Sequence, residues 1–191
     1  MQCSVISHSK MEAEIDKTFL TSCNEVYIEA VKESVCIGSN INAVDSNGMT
    51  GIMMLFKDSK YMFDDNKKRE QRQVFDFLLQ QPSIDLNMSM AIVDHTVPSL
   101  PLNGSTVLHM IANCVYDEDD LQYFITKIVS DPRFKSLNVK NTYGTALMCA
   151  IDDYRQNAAK NLLQGTDFQL KNSWGRTLLE QARFVGNMLL D

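Results

Sequence analysis

Four stretches of the chain repeat one arrangement of apolar and polar positions: "NGMTGIMMLF" at 47–56, "NGSTVLHMIA" at 103–112, "YGTALMCAI" at 143–151 and "WGRTLLEQAR" at 174–183. Each places a glycine one or two residues before a threonine and an apolar residue two after it, then continues at helical spacing. A second amphipathic helix and a short polar turn follow the first three, in "QVFDFLLQQPSIDLN", "LQYFITKIVSDPRFKSLN" and "NAAKNLLQGTDFQL". Upstream, "EAVKESVCIGSNINAVD" supplies the same second helix and turn, with Gly38 at the helix stop and Ile41-Asn42 after it. The predicted unit is helix, turn, helix, hairpin.

A unit of this kind resembles the ankyrin repeat family, whose period of about 33 residues opens its first helix with T-P-L-H-x-A. Thr106-Val107-Leu108-His109-Met110-Ile111-Ala112 departs from that motif mainly at the proline. The other copies keep Thr50/Ile52, Thr145/Leu147/Ala150 and Thr177/Leu179/Ala182, while Met53, Met148 and Glu180 replace the histidine. The resemblance covers residues 15–191 and implies an all-α fold, an ankyrin-repeat solenoid of helix-turn-helix units with short hairpin loops. An N-terminal tail at 1–14 would precede a single array: a cap about 15–43, repeats about 44–87, 100–138 and 139–170, and a partial C-terminal repeat at 171–191. That last repeat stops partway through its second helix, as either a truncated cap or the edge of a fragment would.

The threonines stand 56, 39 and 32 residues apart, so the earlier copies carry insertions. Against the family period, about eleven extra residues fall between the two helices around "KDSKYMFDDNKKREQR" and about eleven in the hairpin around "MSMAIVDHTVPSLP". About seven more fall around "YDEDD" and the helix after it. Pro98 and Pro101 exclude a helix from the second insertion. Long loops of this kind in compact repeats are functional or disordered, and Met90, Ile92 and Val93 make this one too apolar for a free linker.

With 45% hydrophobic residues in 191, the chain can bury a core. A net charge of −6 argues against nucleic acid, whose phosphates need a cationic face. Five cysteines (Cys3, Cys23, Cys36, Cys114, Cys149) with no C-x-x-C pair or zinc spacing fit free thiols in the cytoplasm. No run of about 18 apolar residues calls for membrane insertion. The "DEDD" run lacks the spacing and central glycine of a calcium loop and favours the start of a helix instead. "NKKRE" is flanked by acids and reads as a solvated loop or helix face.

The one histidine inside a repeat motif poses the sharpest chemical question. His109 could serve as base to Cys114 or Cys149, but nothing in the pattern orients such a pair. In the ankyrin pattern Thr106 and His109 instead satisfy backbone groups where the hairpin enters the helix. No enzyme activity, cofactor or metal is therefore expected.

A monomeric scaffold binding a protein partner of unknown identity is the expected function, with a concave face made of hairpin tips and first helices. Counted from each threonine, the fifth residue should face that concavity: Met54, Met110, Cys149 and Gln181, the methionines giving an adaptable floor. Asn47, Tyr143 and Trp174 stand at hairpin tips, where the two aromatics either bind a partner or pack on the neighbouring hairpin. Irregular repeats of this sort also resemble ankyrin proteins of intracellular bacteria or viruses, which implies action inside a host cell. A targeting portion of a larger enzyme is the alternative. Leu79, Asp85, Leu86 and Asn87 resemble the L-x5-D-[VI]-N pattern hydroxylated on asparagine in animal ankyrin repeats, with leucine in place of valine or isoleucine.

Overall fold

The structure, a computed structural model, describes residues 2–57, 64–91 and 103–188. Among them are nine helices and no strand, so the fold is all-α: α1 (Gln2–Asn24), α2 (Ile28–Cys36), α3 (Gly51–Met54), α4 (Asp65–Gln80), α5 (Val107–Cys114), α6 (Glu118–Ser130), α7 (Ala146–Asp152), α8 (Gln156–Leu162) and α9 (Leu178–Met188). None of the described helices is long and apolar enough to cross a membrane. The helices belong to two compact units, Met1–Ile84 and Asp85–Asp191.

In the first unit α1 packs on α2 and α3, and α2 packs on α4. Residues 2–14, a tail on the sequence reading, continue α1, because no glycine or proline interrupts Gln2–Asn24. The apolar positions that anchor α1 come late: Phe19 and Cys23 are fully buried. Gly51 lets α3 approach them. A Cβ at that position would lie 2.6 Å from Phe19 Cε1 and 3.1 Å from Cys23 Sγ. The Asp64 carboxylate caps α4 by accepting from the Asn66 and Lys67 amides at 3.0 and 3.1 Å. "NKKRE" thus forms the first turns of a 16-residue helix. The corresponding α6 has 13 residues and α8 only 7, so helix α4 absorbs part of the first insertion. The remainder includes 58–63, outside the described residues.

In the second unit α5 packs on α6 and α7, α7 on α8 and α9, and α6 on α8. First helices therefore meet first helices, and second helices meet second helices. Leu108 and Ile111 of α5 and Phe124, Ile125 and Ile128 of α6 make the centre of this core. Asp117 caps α6 by accepting from the amides of Asp119 and Asp120, both at 3.1 Å, which is the part the acidic run plays.

The connections repeat two polar devices. Single antiparallel bridges, Val44 to Thr50, Ser89 to Thr106, Lys140 to Thr145 and Lys171 to Thr177, bring the chain back to the start of each first helix. Three of the turns they close are held by one carbonyl or carboxyl oxygen. Asp45 accepts from the Asn47 and Met49 amides, both at 2.9 Å. Asn141 accepts from Tyr143 and Gly144 at 2.9 and 3.0 Å, and Asn172 from Trp174 and Arg176, both at 3.0 Å. After the second helices, Asp85, Asp131 and Asp167 accept from the amides two residues on, at 2.8 to 2.9 Å. Beyond those turns, Asn42, Asn87 and Asn138 donate to the carbonyls of Ser83, Arg133 and Gly165. The hairpin with the second insertion is closed by bonds of 2.8 Å from Met90 N to Ser105 O and from Gly104 N to Met90 O. Ile92 and Val93 lie outside the described residues.

Candidate functional site

His109 is only 1% exposed and both ring nitrogens are engaged. Nδ1 accepts from the Thr106 amide at 3.2 Å, and Nε2 donates to the Gly144 carbonyl at 3.1 Å. Those two partners define one neutral tautomer. Burial pushes its pKa down to about 4, against the smaller upward pull of the Gly144 carbonyl. Its ring ties the start of α5 to the next hairpin. The Cys149 thiol bonds elsewhere, to Asn141 Oδ1 at 3.7 Å, and burial pushes it up to about 12. His109 and Cys149 therefore do not form a base and nucleophile pair in this arrangement.

Within the second unit, a cleft of about 620 Å³ opens between two hairpin turns and the first helices behind them. Its rim carries Tyr143 and Trp174, whose rings stack with centroids 5.6 Å apart and planes 17° from parallel. Two bonds join these turns and set the spacing: Ser173 N donates to Tyr143 O at 3.1 Å, and the Ser173 hydroxyl donates to the Thr142 carbonyl. Trp174 remains 54% exposed, so the stack buries only part of the indole. No other ring stacks on it among the described residues.

Behind the rim, Gln181 joins the walls together. Its amide donates to Asp152 Oδ1, and its carbonyl accepts from Asn172 Nδ2 at 2.8 Å. Arg176 lies over the Phe184 ring at 3.7 Å from its centroid and reaches Gln181 Oε1 at 3.4 Å. Asp152 and Asp153 also line the cleft. Burial holds the Asp152 carboxyl above its usual range, opposed by the bond from Gln181 and reinforced by the neighbouring Asp153 charge. Asp153 is exposed, and its carboxylate makes neither a hydrogen bond nor an ion pair among the described residues.

Four of the residues singled out from sequence, Tyr143, Cys149, Trp174 and Gln181, thus line one cleft. Others fall elsewhere. Met54 and Met110 are 7% and 1% exposed and form core, not a surface floor. All four residues of α3 are buried, as are Val107 to Ala112 of α5. Met90 is 3% exposed and also packs inward. Asn47 is half-buried and donates its side-chain amide to Asp45 Oδ2 at 3.3 Å within its own turn. Asn87 is tied down by three bonds: it accepts from Lys135 N at 2.6 Å and Ser136 Oγ at 2.9 Å, and donates to Arg133 O at 2.8 Å.

Sequence reasoning missed Asp153 and Arg176, and it missed Asn113, Asp152 and Phe184, which line the cleft one turn beyond Met110, Cys149 and Gln181. Adding three to each fifth position would have found the last three, since positions three apart share a helix face. No protein-family model matches this chain, and no curated protein matches it.

Proposed function

We propose that the chain is an ankyrin-type repeat array acting as a protein-binding scaffold, and that a partner docks in the cleft beside Tyr143 and Trp174. The fold part of this reading is supported by the alternation of first and second helices, the threonine at each first-helix start and the recurring Asp/Asn turns. The docking part is carried by one observation: a rigid aromatic pair, half open to solvent, at the mouth of a cleft about 620 Å³ in size. Large aromatics with little conformational freedom concentrate binding energy, and a pair already stacked loses little entropy when it is covered. A cytosolic setting and a non-catalytic role follow from the same reading.

Trp174 is the only tryptophan, so its emission reports on this cleft alone. Peptides selected on the wild-type protein from a random display library should shift that emission. They should also bind Trp174→Ala at least about 30-fold more weakly, the size of a binding hot spot. Selected peptides that bind Trp174→Ala as well as wild type, with no change in wild-type emission, would refute the docking site.

A further inference from the structure

We propose, building on the docking reading above, that the cleft beside Trp174 receives an arginine side chain from an extended basic segment of the partner. Three properties of the cleft select that chemistry. The exposed part of the indole offers an aromatic face, and a planar guanidinium stacks on such a face better than an ammonium does. Two carboxylates, Asp152 and Asp153, line the same cleft, and neither makes an ion pair among the described residues. Asp153 is the freer of the two, whereas Asp152 already accepts from Gln181.

The charges around the cleft leave this site unfilled from within. Among the described residues Arg176 is the one cation lining it, and it is turned onto Phe184 and Gln181. Arg155 faces the Tyr116 ring at 4.6 Å from its centroid and reaches Asp153 only through space. Among the lining groups, two carboxylates stand against one guanidinium, within a chain of net charge −6. A cationic side chain entering the cleft gains a carboxylate partner and an aromatic face together, and approach from solution is favoured by the field of the whole molecule. An acidic side chain is repelled by the carboxylates, and a neutral one lacks both the charge assistance and the cation–π attraction. Partial desolvation of Asp152 adds to the same preference, because an arriving cation compensates a charge that water solvates poorly there.

The test uses the full chain and capped pentapeptides Gly-Ser-X-Ser-Gly with X as Arg, Lys, Gln or Glu, followed by the Trp174 indole N–H resonance and by emission. The Arg peptide should give a saturable shift at low ionic strength, weaker by about tenfold for Gln and for the Asp153→Asn variant. The Asp153 carboxylate is exposed and unbonded, so that variant should melt at the wild-type temperature. Equal responses to the Arg and Gln peptides overturn the cation assignment while leaving the docking cleft standing. A Lys peptide as effective as Arg overturns the choice of arginine. Silence from all four peptides overturns the inference, and the display selection then decides separately whether the cleft docks anything.

Discussion

Lowering the pH from 7.5 to 5 should remove about 2 kcal/mol of stability through His109 alone. Nδ1 accepts from the Thr106 amide and so must be unprotonated, while Nε2 already carries the proton given to Gly144 O. A second proton would set one donor against another inside a core that excludes water. Burial lowers the ordinary value of 6.5 to about 4 in the folded state, against the smaller upward pull of the Gly144 carbonyl. For a group whose folded pKa is depressed, the unfolded chain binds the proton first as the medium is acidified. The contribution is complete above pH 6.5 and disappears as pH falls toward 4. Each unit of difference is worth about 1.4 kcal/mol, which gives the figure of about 2 kcal/mol at pH 5.

Urea unfolding of the wild type beside His109→Met isolates this effect. Methionine fills the same slot at Met53 and Met148, is neutral at every pH, and leaves the other titrating groups common to both proteins. The stability advantage of the wild type over the variant should shrink by about 2 kcal/mol between pH 7.5 and pH 5. An advantage that stays constant across that range would refute the buried neutral tautomer, and with it the assignment of His109 as a structural strut.

Gly51→Ala should lower stability by about 1–3 kcal/mol, because its Cβ would sit 2.6 Å from the Phe19 ring. Alanine otherwise favours a helix over glycine by up to about 1 kcal/mol, so a melting temperature that rises would show that α1 does not lie against α3 there. Asn87→Ala should cost about 2 kcal/mol in a urea titration, since it strips partners from the Lys135 amide, the Ser136 hydroxyl and the Arg133 carbonyl. A loss below about 0.5 kcal/mol would mean those groups find water in its place.

The second helices and the threonine starts are legible in the sequence because they rest on local rules: amphipathic spacing, caps and turns. Thr106 and His109 fall where the motif places them for the same reason. What the sequence does not carry is where a cleft opens between the helices. Met54, Met110, Cys149 and Gln181 occupy one sequence position in successive copies, yet only the last two line the cleft. All four are buried, Cys149 and Gln181 at 5% and 2% exposed, and no local rule records that the cleft opens over the latter two. The start of α1 is hidden for the opposite reason, since residues 2–14 hold a helix with no sustained apolar stripe to mark it.

The residue three after each of the four threonines meets the start of its helix in a different way. His109 bridges the Thr106 amide and the next hairpin. In α9, Glu180 makes the first of those two links, its carboxylate accepting from the Thr177 amide at 2.7 Å and from the Thr177 hydroxyl at 2.8 Å. Met53 can make neither, and the Thr50 hydroxyl oxygen is buried without a hydrogen-bond partner among the described residues. At Met148 the Thr145 hydroxyl still accepts from the helix amide, at 3.3 Å. A charged acceptor is tolerable only at an exposed helix start, which is where Glu180 stands. Methionine suits the buried copies, where the lost bond is offset by apolar packing: Met53 and Met148 are each 1% exposed. Burial thus sets the exposed Glu180 apart from His109, Met53 and Met148, each 1% exposed, and among those three only His109 supplies an acceptor for the threonine amide.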